Sequence, residues 1–98
     1  IIQKEISKSS WFGFSLIIKP TSSLKRKEVV EKLMKANIEC RPIVTGDFTQ
    51  NEVMKYFDYE IHNELTNARY LHENGLFVGN QQVLIYEQIK YLAEILKH

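Results

Sequence analysis

Apolar residues along this chain gather in short clusters separated by polar turns, and their spacing changes from cluster to cluster. Ser10–Lys19 (SWFGFSLIIK) is aromatic, β-branched and uncharged until its last residue. That pattern predicts a strand buried on both faces at its centre, ended by Pro20, which offers a sheet no N–H. Helical spacing then takes over from Leu24 to Ala36, with Val29, Val30, Leu33 and Met34 on one face and Ser23 as the expected N-cap. Asn37 suits the left-handed residue that closes such a helix. Ile38–Arg41 alternates again and reads as a short strand stopped by Pro42.

Thr45-Gly46-Asp47 is a turn signal inside the least regular stretch, Ile43–Asn51. A short helix is expected over Asn51–Phe57. A second follows over Glu64–Asn74, capped by Asn63, with Leu65, Ala68 and Leu71 inward and Asn74-Gly75 as its stop. Leu76-Phe77-Val78 reads as an apolar strand. The last helix spans Val83–Lys97, with Ile85, Ile89, Leu92 and Leu96 on one well-packed stripe. Three short strands with helices on one face make an α+β fold built on a small, mainly antiparallel three-stranded sheet.

Length and charge narrow the function. Ninety-eight residues make one domain, 1–98. Thirteen basic and 12 acidic residues leave a net charge of +1, which gives no reason to expect nucleic acid or an anionic membrane as partner. No apolar run is long enough to span a bilayer. One cysteine excludes an internal disulfide framework and fits a reducing, cytoplasmic setting. The chain opens on Ile1 rather than Met, which leads us to expect either processing or a piece cut from a longer protein.

Catalytic signatures are missing from the sequence: there is no nucleophile elbow, phosphate loop or dinucleotide fingerprint. Cys40, His62 and His72 lack the short pairing of metal ligands. Cys40 reads as a small buried residue, and the two histidines as surface or capping residues. Trp11, Phe12 and Phe14 could stack on bases, but no basic residue precedes Lys19 in that strand, so core packing is the better reading. Alternation would put Phe12 and Phe14 on one face and Trp11 on the other. The basic residues from Lys25 to Lys35, Arg26 among them, read as a solvated outer helix face. Arg41 stands apart. Before Pro42 and an irregular loop, its guanidinium suits a bidentate contact with phosphate or carboxylate, and equally a structural salt bridge.

Four segments together carry a resemblance: SWFGFSL at Ser10–Leu16, IECRPIVTGDF at Ile38–Phe48, LTNARYLHENGLFVGN at Leu65–Asn80, and the closing amphipathic helix. Across nearly the whole chain they resemble the carboxyl-terminal small domain of the DegT/DnrJ/StrS family. These are pyridoxal-phosphate (PLP)-dependent nucleotide-sugar aminotransferases, and the similarity is closest to the branch of 3-dehydratases acting on GDP-4-keto-6-deoxymannose. The resemblance implies the small domain of a fold-type-I PLP enzyme, with the catalytic large domain absent from this chain. The intact parent would be a homodimer that dehydrates or aminates a nucleotide-linked 4-keto-6-deoxy hexose for lipopolysaccharide O-antigen.

Family logic places the cofactor-bonding lysine, or the histidine that replaces it, in the missing N-terminal large domain. The fragment alone is then expected to bind no PLP and to catalyse nothing. The loop after Cys40-Arg41-Pro42 resembles the family loop facing the substrate pocket, which implies substrate contacts at Arg41, Thr45, Asp47 and Phe48. Asp47 departs from the asparagine the resemblance implies, and Gln81-Gln82 from two histidines. The first change swaps an amide donor for an anion. A different class of reading keeps the same fold as a free-standing binding or assembly module without catalysis.

Overall fold

The computed structural model describes residues 1–81 and 83–97; Gln82, half of the Gln81-Gln82 pair, lies outside them. Three strands, β1 (Gly13–Ile17), β2 (Cys40–Pro42) and β3 (Gly75–Gly79), form one antiparallel sheet in the order β1-β3-β2. Three helices accompany it: α1 (Arg26–Lys35), α2 (Thr66–Asn74) and α3 (Tyr86–Lys97). This is the α+β architecture expected. The short helix expected over Asn51–Phe57 is instead a pair of 3-10 turns, Phe48–Gln50 and Glu52–Tyr56.

Register decides which side chains meet. Phe14 faces Val78 and Leu16 faces Leu76 across β1 and β3, while Cys40 faces Val78 from β2. Because side chains alternate along a strand, these five share the helix side of the sheet. Val29 and Leu33 of α1 pack on them and complete a small core, with Leu33 fully buried and Leu92, Ile95 and Leu96 of α3 along its margin. The opposite face carries Ser15 opposite Phe77, and Arg41 opposite Phe77. Gly13 is needed there, because a Cβ would lie 2.5 Å from the Phe77 ring.

Several expectations shift for identifiable reasons. β1 is shorter than Ser10–Lys19 and only half-buried throughout, because it is an edge strand. A backbone bridge from Ile2 to Leu16 covers part of that edge. The chain bends at Phe12, so alternation fails there. Phe12 pairs with Phe77 on the outer face (6.0 Å between ring centres), and Trp11 stacks with Phe14 at 6.4 Å. Phe12 is 86% exposed and is not a core residue.

Helix α1 starts at Lys25, not Ser23, because Glu28 reaches back to accept the Lys25 backbone N–H at 2.6 Å. Asn37 closes it at φ 60° as expected. Pro42 ends β2 from inside it, on an edge where its missing N–H costs no ladder bond. Asn63 takes a left-handed backbone (φ 61°) and α2 begins three residues later. Helix α3 is less packed than its stripe implies: Ile89 is 51% exposed, and Tyr91 uses its hydroxyl to cap α1 at the Ala36 carbonyl (3.1 Å).

Candidate functional site

The segment between β2 and the first 3-10 turn holds two positive-φ residues within three positions. Val44 sits at φ 23° and Gly46 at φ 61°. A β-branched residue at positive φ costs about 1–3 kcal/mol and persists only where its surroundings hold it. Here the hold comes from α2. Gly46 passes so close to that helix that a Cβ would lie 2.6 Å from the His72 Cα. The His72 Nδ1 meets the Thr45 carbonyl.

Asp47 turns inward at this point. Its side chain is fully buried and caps the 3-10 turn, accepting from the Thr49 backbone N–H (3.0 Å) and the Thr49 hydroxyl (2.5 Å). Its second oxygen accepts no hydrogen bond among the described residues and lies 3.7 Å from the Arg69 Nε. The Thr49 hydroxyl lowers the Asp47 pKa most, against the opposing effect of burial, with help from the Thr49 N–H, Arg69 and His72. A lowered folded-state pKa means the unfolded chain takes up the proton first as pH falls. The resulting stability is present above the unfolded carboxylate value, near pH 4, and is lost as pH drops through the folded value. Urea midpoints should therefore fall more steeply below about pH 4 in the parent chain than in Asp47→Asn. Equal slopes would show that this carboxylate is not held as described.

The four residues implied by the resemblance are thus placed differently. Thr45, Asp47 and Phe48 share the loop. Thr45 is half-buried with its carbonyl engaged, Asp47 points into the protein, and Phe48 is 52% exposed. Arg41 lies on the outer sheet face, where it bonds Glu39 at 3.0 Å with both side chains exposed. An exposed pair of this kind holds little energy, so the guanidinium is free to exchange partners. Beside it a groove of about 630 Å³ runs between the sheet and α3, lined by Phe14, Cys40, Tyr91 and Ile89 among others. Burial first, and then Glu39, push the Cys40 thiol up, which keeps it protonated and unreactive near neutrality.

Three residues of the cluster escape a reading by composition. Arg26 is half-buried, not part of a solvated face, and donates to the His72 carbonyl at 2.5 Å, tying the end of α2 to α1. Arg69 and His72 are three apart on α2, a spacing that puts both on the side facing the loop. That spacing was the one available signal. Among the described residues no group of three or more His, Cys, Asp or Glu could hold a metal ion, and no helix is long and apolar enough to cross a membrane.

A PLP site needs a lysine or its substitute at the ring and a partner for the pyridine nitrogen. All lysines here are exposed except half-buried Lys32 of α1. The one buried acid among the described residues, Asp47, is engaged by Thr49. These residues do not fit that cofactor, and no step through it is derived for this chain.

Known proteins resemble the chain closely. The sequence profile of the DegT/DnrJ/EryC1/StrS aminotransferase family matches residues 1–97. A GDP-4-keto-6-deoxy-D-mannose 3-dehydratase from Escherichia coli O55:H7 is 58% identical over 97 residues, which is 98% of this chain and 25% of that protein. The lipopolysaccharide biosynthesis protein RfbH of Salmonella typhimurium LT2 is 31% identical over 91% of this chain and 20% of its own length. Two solved structures superpose well. An E. coli GDP-4-keto-6-deoxy-D-mannose-3-dehydratase with bound hydrated PLP gives a TM-score of 0.93, at 57% identity over 98% of this chain and 25% of the other. A mutant GDP-4-keto-6-deoxymannose-3-dehydratase with bound GDP-perosamine gives 0.94, with the same identity and coverage. The chain spans about a quarter of the length of the dehydratases it matches.

Proposed function

This chain belongs to the DegT/DnrJ/EryC1/StrS aminotransferase family, and we propose that it serves as the carboxyl-terminal small domain of a PLP-dependent 3-dehydratase acting on a GDP-linked 4-keto-6-deoxy hexose. The observation that carries this reading is the joint match in sequence and shape, 57% identity at a TM-score of 0.94, to a quarter of such an enzyme. The similarity to a lipopolysaccharide biosynthesis protein supports a product destined for that polymer.

In this reading PLP supplies the electron sink for removing the C3 hydroxyl and is held outside this chain. The small domain contributes a rigid surface that closes over the sugar nucleotide. Phe48, exposed at the loop, and Thr45 face the sugar; Arg41, weakly held by Glu39, is free to take a phosphate. Asp47 shapes the loop from beneath. Apolar groups around the loop support a covered assembly, since Tyr56 is 76% exposed, Phe57 60% and Ile61 52%, more than a finished surface usually leaves together. The large domain and a partner subunit would cover them.

The test is a chimera. The last quarter of the E. coli O55:H7 dehydratase is replaced by this chain, and consumption of GDP-4-keto-6-deoxymannose is followed with PLP and an amino donor. We expect kcat/KM within about tenfold of the natural enzyme, the scale of one misplaced contact. A folded, PLP-loaded chimera with only background turnover would refute the assignment.

A further inference from the structure

His72 holds three parts of the structure at once. Its backbone carbonyl accepts from Arg26 of α1, its Cα is the surface on which Gly46 rests, and its ring Nδ1 meets the Thr45 carbonyl. A carbonyl oxygen only accepts, so that nitrogen must carry the hydrogen. The same nitrogen lies 3.4 Å from the Asp47 backbone nitrogen. Once protonated it cannot accept there, which makes the Thr45 contact the operative one. The ring is thereby fixed with a hydrogen on Nδ1.

We propose that His72 is the positioning residue of the 43–50 loop: its Nδ1–H clamps the Thr45 carbonyl and so sets where Thr45 and Phe48 face. The role rests on the small-domain reading above, because only a loop that meets substrate gains from being fixed. Two features argue that the clamp holds a conformation the loop would not keep alone. Val44, 83% exposed and at positive φ, has no burial to reward its backbone. Asp47 is buried with one oxygen that accepts no hydrogen bond among the described residues and meets only Arg69, at 3.7 Å, a placement that lasts only while the loop stays down. Arg69 and His72, one face of α2, therefore act together on a loop more than twenty residues earlier in the chain.

The first test uses the 98-residue chain and needs no activity. A long-range proton–nitrogen NMR spectrum near pH 7 should show a hydrogen on His72 Nδ1. A His72 carrying its only ring hydrogen on Nε2 would overturn the proposal. Amide exchange of residues 44–50 should then rise about tenfold in His72→Leu and His72→Gln, for loss of one hydrogen bond. It should return to the parent rate in His72→Asn, whose amide nitrogen occupies the Nδ1 position, while β3 amides keep their protection throughout. A side chain that merely filled space would not separate Asn from Gln, and equal exchange in those two variants would sink the clamp. Should His72→Leu fail to fold, the Asn and Gln pair decides the matter.

The same substitutions in the chimera test the consequence for function. We expect KM for the sugar nucleotide to rise about tenfold in His72→Gln with kcat within about threefold, and to recover in His72→Asn. Normal KM in His72→Gln, with the NMR result upheld, would remove the substrate role and leave the clamp. A chimera inactive with His72 intact would overturn the small-domain reading alone.

Discussion

Leu33→Ala is expected to cost about 2–5 kcal/mol, the range for emptying a fully buried leucine site. Leu33 has no exposed surface and stands where α1 meets the sheet, against a core whose other buried apolar residues are Val29, Leu76 and Val78. So small a core has little room to rearrange around a void, and a domain of this length holds only about 5–15 kcal/mol in total. The variant should lose a large share of its total stability. Urea unfolding followed by circular dichroism would show a lower midpoint at an unchanged slope. Met34→Ala, next in sequence but 65% exposed, should move the midpoint by no more than about 0.5 kcal/mol. If the two variants proved equally stable, α1 would not pack as described.

Gly46→Ala should have the next largest effect, through a different mechanism. A left-handed backbone at a residue with a Cβ costs about 1–2 kcal/mol. The new methyl would also lie 2.6 Å from the His72 Cα. Backbone cannot swing away as a side-chain tip can, so the loop must lift off α2, at about 1–3 kcal/mol more for overpacking. Exchange of the 44–50 amides should rise sharply, and thermal unfolding should begin earlier. Gly79→Ala is the matched control, since a Cβ there meets nothing within 4 Å. Undiminished protection of the loop in Gly46→Ala would contradict the close approach.

Strand β3, helix α1 and the sheet class were legible because period and length agree there. Leu76, Val78, Val29 and Leu33 are the apolar positions of those patterns and became the core. Boundaries were less legible, since a neighbour decides them. Glu28 rather than Ser23 sets the start of α1, and Phe12 leaves the alternation because the chain bends beside Phe77. Helix α3 shows the limit of periodicity, which announces an apolar stripe but not whether anything lies against all of it.

The site divides the same way. Thr45-Gly46-Asp47 announced a turn, and the resemblance pointed to its loop. That Asp47 would face inward, and that Arg26, Arg69 and His72 would meet around the loop, depends on contacts across 22 to 46 residues of chain. No local pattern encodes those. The i,i+3 spacing of Arg69 and His72 became informative only once α2 was seen beside the loop.

The strand order carries a consequence for synthesis. The central strand, β3, is the last of the three along the chain, and it is the one strand of the sheet that pairs with both of the others. At about 5–20 residues per second a ribosome takes about 3–12 s to travel from Ile17 to Gly79. Throughout that interval the nascent β2 and the inner edge of β1 lack the strand they pair with, and Phe14 and Leu16 lack the Val78 and Leu76 that face them. The sheet then forms in one event when β3 arrives, and a stop codon anywhere before Gly75 would release two strands with nothing between them.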